Sequence, residues 1–170
     1  MDMPAALLRA LAELNPREVS FGYGGLKLLG IEELAEGQVG YALGIDDQSL
    51  SGSAPGDWRR EWIVFCYDTG LGDPIFVDSG SPEFPVFTAM HGEGAWEPKP
   101  VAISLEAFRE CWDEFARIAN GRSNPVELEA NPLSKAARQS FLNGVRQING
   151  SRIDAELWVV LVDDGDEFDS

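Results

Sequence analysis

The chain has 170 residues, 44% of them hydrophobic and 10% aromatic, which fits one packed domain and argues against global disorder. Twenty-nine acidic against thirteen basic residues leave a formal net charge of −16. Such a charge disfavours nucleic acid and anionic membrane surfaces and draws in basic partners, although solubility alone accounts for the same excess. No apolar run approaches the roughly 18–20 residues that span a bilayer, and Met1-Asp2-Met3-Pro4 has no basic leader region, so a cytoplasmic location is expected.

Residues 4–14 read as a short helix, with Leu7, Leu8, Leu11 and Leu14 at helical spacing and Pro4 suited to its first turn; Asn15-Pro16 ends it. Residues 19–23 and 25–29 predict two short strands around a Gly-Gly turn. One helical turn is expected at 31–35, a further strand at 38–45, and a mobile surface loop rich in Ser, Gly and Asp at 46–57. Residues 61–67, Glu-Trp-Ile-Val-Phe-Cys-Tyr, have the length and composition of a buried strand. Strands at 73–78 and 85–90 follow at hairpin spacing. Parallel pairing would need a crossover helix, so an antiparallel meander is expected.

The period then changes. Leu105, Phe108, Cys111, Trp112, Phe115 and Ile118 form one apolar stripe, with Ser104 as N-cap and Gly121 as stop. A second helix is predicted at 132–148, capped by Asn131 with Pro132 in its first position. Residues 154–162 carry both helical spacing and β-branched valines; an Asp154 cap favours helix. A frayed acidic tail at 163–170 is expected. Strands in the middle and helices towards the ends describe an α+β fold: a single domain whose central antiparallel sheet is packed by helices.

Few residues offer chemistry. His91 is the only histidine and lies beside Glu93. It lacks a neighbouring nucleophile motif or a ligand set, so a structural role after a strand is favoured over catalysis. Gly92-Glu93-Gly94 lacks the third glycine and the lysine of a phosphate loop, and reads as tight-turn geometry. Asp68, Asp73 and Asp78 flank strands among glycines, where aspartates commonly satisfy turn backbone; partner contact is the other reading, and calcium or acid–base work the least favoured. Trp62 is expected in the core. Trp58, beside a loop, and Trp96, within a Gly-Pro loop, are either interface anchors or folded back on the sheet. Cys66 and Cys111 sit in apolar stretches and read as buried hydrophobes.

One string ties several of these together. Tyr67-Asp68, then Gly72-Asp73-Pro74-Ile75-Phe76-Val77-Asp78, Pro85-Val86-Phe87, His91-Gly92-Glu93-Gly94-Ala95-Trp96-Glu97-Pro98 and Ala102-Ile103-Ser104-Leu105 with Phe108 resemble the SUKH superfamily across roughly residues 60–120. That family includes the fungal Smi/Knr-type cell-wall regulators and many bacterial immunity proteins. The N-terminal part departs from the pattern: residues 4–14 are short, and no Leu-Pro precedes Tyr23. The resemblance implies a non-catalytic protein-binding scaffold with no cofactor or metal. Its implied partner is a protein, such as a basic nuclease toxin. Asp68, Asp73, Asp78, Glu93, Trp96 and Glu97 are the expected contact residues, with Trp96 as anchor. A housekeeping interaction module without a toxin partner is the alternative, and a hydrolase or metal-dependent enzyme using His91 and nearby carboxylates the less favoured one.

Overall fold

A computed structural model describes residues 2–163. Its sheet has six strands: β1 (Glu18–Phe21), β2 (Gly24–Leu28), β3 (Trp62–Asp68), β4 (Pro74–Asp78), β5 (Val86–Thr88) and β6 (Lys99–Ala102). They lie side by side in chain order, every neighbour antiparallel, so the expected meander extends to the whole sheet. Five α-helices among the described residues complete the α+β fold: α1 (Ala5–Ala12), α2 (Leu105–Ala119), α3 (Pro125–Ala130), α4 (Lys135–Ile148) and α5 (Glu156–Leu161).

β3 explains the layering. Six of its seven residues are buried, because both faces of the sheet are covered. Ile63 and Phe65 join the large core against the helices, where Phe108, Trp112, Phe115 and Trp158 are also fully enclosed. Trp62 and Val64 point the other way, into a smaller core with Trp58 and Phe76. A β-bulge between Val64 and Cys66 interrupts the alternation, so Phe65 and Cys66 both belong to the helix-side core. Three of the buried indoles find an acceptor: Trp112 Nε1 donates to the Pro16 carbonyl (3.0 Å), Trp158 Nε1 to that of Val101 (3.1 Å), and Trp58 Nε1 to that of Trp62 (3.2 Å).

Residues 29–58 leave the sheet between β2 and β3 and close over its second face. The strand expected at 38–45 does not form. Glu36–Gln38 is a turn of 3₁₀-helix, and Gly40, at φ +92°, reverses the chain so that its amide donates to the Leu43 carbonyl (2.7 Å). It is the Gln38 side chain that pairs with the sheet. Beyond Leu29, whose amide still donates to the Phe65 carbonyl (2.8 Å), the chain no longer covers the edge of β3, and the fully buried Gln38 amide takes its place. Its Nε2 donates to the carbonyls of Val64 (2.8 Å) and Leu34 (2.7 Å), and the Val64 amide donates back to Oε1 (2.9 Å).

Other expectations shift by local chemistry. The first hairpin turns at Gly22-Tyr23, not at Gly24-Gly25. Gly25 lies within β2, where a Cβ would stand 2.4 Å from the Val19 carbonyl oxygen. Ser104 caps α2 as expected, accepting from the Ala107 amide (3.0 Å). The next long helix starts at Lys135, with Ser134 accepting from the Ala137 amide (3.1 Å), so Asn131 and Pro132 do not begin it. Asn131 instead follows α3, a helix absent from the expectations. There it is held by Arg122, whose Nε donates to its carbonyl (2.7 Å). Residues 156–161 are helical as favoured, but Ala155 precedes them and no side chain caps the end, so Asp154 is not a cap. Asp163 is exposed, and the rest of the expected frayed tail lies outside the described residues.

Both thiols are enclosed and unpaired with each other. Burial pushes the Cys66 thiol far up, and it pushes Cys111 up to about 12. Neither is expected to react with iodoacetamide in the native protein at mildly alkaline pH, whereas both should react once it is unfolded. Mass spectrometry of the alkylated chain checks this.

Candidate functional site

One end of the sheet gathers most of the residues singled out by the sequence. β3 ends at Asp68, whose Oδ1 accepts from the amides of Gly70 (2.7 Å) and Leu71 (2.9 Å); the Gly72 amide donates to its carbonyl (2.8 Å). This carboxylate is buried and occupied by its own turn. The winding turns the Leu71 side chain out to solvent, 62% exposed. Asp73, at the start of β4, accepts from the backbone amide of His91 (3.1 Å), and its Oδ1 lies 2.6 Å from His91 Nδ1. The histidine is therefore tied to Asp73, eighteen residues away, and not to its neighbour Glu93. Two bonds to one carboxylate pin the start of the 89–98 loop to the sheet.

Glu93 and Glu97 lie on that loop, exposed, and neither enters an ion pair or hydrogen bond among the described residues. Trp96 turns inward. It is half-buried against Trp58 (ring centres 5.2 Å apart) and Tyr41 (5.5 Å), and its amide donates to the Gly56 carbonyl (2.8 Å). It packs on the second face of the sheet and is not a free anchor. Trp58 is enclosed in the same cluster, 1% exposed. Asp78 stands apart from the group: it closes β4 at the opposite end, accepting from the Gly80 amide (2.9 Å). The structure thus brings together Asp68, Asp73, Glu93 and Glu97, with Trp96 packed behind the loop, and separates Asp78 from them.

Sequence reasoning missed the apolar residues between these carboxylates. A groove of about 190 Å³ runs between the β3–β4 turn, the ends of β5 and β6, and α5. Leu71, Met90, Pro100, Leu157 and Val160 supply its apolar lining. Lys99 and Glu156 also line it, forming an exposed pair at 3.2 Å. Met90 and Lys99 continue into a neighbouring depression lined by Glu93, Ala95 and Glu97. The one signal in the sequence was Leu71 itself, an apolar residue between two glycines in a turn with no hydrophobic neighbour.

Electrostatically, the end is acidic. Burial first, and then the Asp73 charge, hold the Tyr41 phenol above its usual range, so Asp73 acts on the aromatic face as well as on the groove. Among the described residues, no three His, Cys, Asp or Glu side chains converge in a metal-binding group. No described helix is long and apolar enough to cross a membrane.

No family model, curated protein or solved structure matches the chain.

Proposed function

We propose that this chain is a non-catalytic protein-binding domain of SUKH type, working in the cytoplasm as an immunity protein that neutralises a basic toxin domain. The observation that carries this reading is the pair of exposed, unpartnered carboxylates Glu93 and Glu97, on a loop whose start is fixed by the Asp73–His91 contact. Uncompensated negative charges on a loop tied to the sheet steer a cationic partner at high rates. The net charge of −16 acts in the same direction. The resemblance supplies the immunity role. Its two sequence halves, Gly72-Asp73-Pro74 and His91-Gly92-Glu93-Gly94, meet in that one contact.

Capture from the native lysate at low salt, followed by elution with rising salt, tests this. A basic protein is expected to elute. Once repurified, it should bind the Glu93→Lys/Glu97→Lys double variant at least about tenfold more weakly, mostly through slower association. Retention that ignores salt, or no specific partner at all, overturns the reading. A large toxin gene adjoining this one would separate the immunity role from a housekeeping interaction module.

The Asp73–His91 contact also favours a second reading. A carboxylate at imidazole Nδ1 is the arrangement of an oriented general base. The binding role expects His91→Ala to remain folded and to lose less than about 1 kcal/mol, because the histidine is 56% exposed. Its 89–98 loop should be cut faster by protease. Turnover of a small substrate that vanishes in this folded variant would establish the enzyme instead.

A further inference from the structure

We infer that the groove between the β3–β4 turn, the 89–98 loop and α5 is the docking site for a cationic partner segment that carries one or two large aliphatic side chains between lysines or arginines. The inference rests on the protein-binding reading above and names where and what that reading binds. Leu71, Met90 and Val160 are 62%, 52% and 55% exposed, and they arrive from a turn, a loop and a helix to line one depression. None of the three is needed to close the core. At about 190 Å³ the groove is smaller than the roughly 300–1,000 Å³ of small-molecule pockets, and it suits one or two inserted side chains.

Charge selects the occupant. Among the described residues Lys99 is the one lysine or arginine lining the groove and the adjoining depression, and it is already matched by Glu156. Glu93 and Glu97 remain uncompensated beside the apolar lining. An acidic or neutral segment would leave them unmatched, and a second copy of this chain would bring another −16 to the same face. A lysine or arginine next to the inserted side chain meets Glu93 or Glu97 directly, and another competes with Lys99 for Glu156. The site is also preformed. The Asp68 turn holds Leu71, the Asp73–His91 contact holds the loop beside Met90, and Trp158 holds α5 and with it Val160.

The test titrates the full-length ¹⁵N-labelled chain with two blocked hexapeptides, lysine-lysine-leucine-leucine-lysine-lysine and its alanine-for-leucine analogue. Shifts confined to residues 69–73, 88–100 and 156–160, with the leucine peptide at least about tenfold tighter, support the inference. Val160→Lys should weaken that peptide by a similar factor while leaving the melting temperature unchanged, and Leu71→Ser provides a second, independent variant. Equal binding of both peptides, shifts spread over the whole acidic surface, or no binding overturns the groove. If a partner captured from lysate binds Val160→Lys as well as it binds the parent chain, the groove is wrong and the protein-binding role stands. If the leucine peptide fills the groove but no cellular partner is retained, the groove stands and the proposed function fails.

Discussion

Replacing Gln38 with alanine is expected to destabilise the fold by about 3 kcal/mol, a large effect for one polar side chain. The side chain replaces a missing stretch of β-ladder: one amide group serves both the N–H and the C=O of Val64 and also takes the Leu34 carbonyl. Alanine leaves all three backbone groups buried without partners and opens a cavity between the 29–58 excursion and β3. Gln38→Glu keeps the shape but loses the Nε2 donor and buries a charge, so it should be at least as destabilising at neutral pH. That deficit relative to the parent chain should shrink as pH falls through the carboxylate range. A carboxyl whose folded pKa is raised favours the folded state in its protonated form, and protonation restores an O–H donor. Urea denaturation followed by tryptophan fluorescence measures the loss. Hydrogen exchange at the Val64 amide reports whether the damage starts there.

Trp158→Ala is expected to lower stability by about 4 kcal/mol, equivalent to a drop of roughly 8–16 °C in melting temperature for a chain of this size. The indole is fully enclosed, lies 6.0–6.2 Å from the rings of Phe108, Phe115 and Phe141, and donates to the Val101 carbonyl of β6. α5 has six residues and no side-chain N-cap, so its position depends on this anchor. Truncation should therefore release α5 before the rest unfolds. Exchange at residues 156–161 should rise above the global rate, and the leucine peptide should lose its site because Val160 leaves the groove. Trp158→Phe retains most of the ring packing and gives up the Val101 bond, at a cost of about 1 kcal/mol. A variant that loses stability uniformly, with α5 still docked, would contradict this account.

Much of the fold was legible from residue pattern alone. β3, β4 and α2 are long or strongly periodic, and their apolar positions match the observed burial. β6 was hidden because Pro98 and Pro100 argue against a strand. Pro100 is tolerated because β6 is the last strand of the sheet and has one neighbour. The expected 38–45 strand failed because Gly40 and Gly44 bend the chain and a side chain, not the backbone, meets β3. α4 starts three residues late because Ser134 is the better-placed cap.

The site was less legible. Sequence adjacency suggested Glu93 as the partner of His91, whereas the hairpin brings Asp73 across to it. Burial of Trp58 and Trp96 depends on Tyr41 and Phe76, which lie far off in sequence. Of the groove only Leu71 left a trace in the sequence, since Leu71, Met90 and Val160 converge only once three separate elements are folded.

The excursion over the second face carries one further consequence. Helices cover one side of the sheet with several independent elements, but the aromatic side is covered mainly by the turns and loops of residues 29–58, held to β3 by the Gln38 amide and to the 89–98 loop by Trp96. Lifting that cover would bare Trp58, Trp62 and Phe76 while the helical layer stayed intact. The molecule therefore has a cheaper way to become adhesive than full denaturation, and because Trp96 rests on Tyr41 and Trp58 and bonds to Gly56, such an opening would also loosen the loop that carries Glu93 and Glu97.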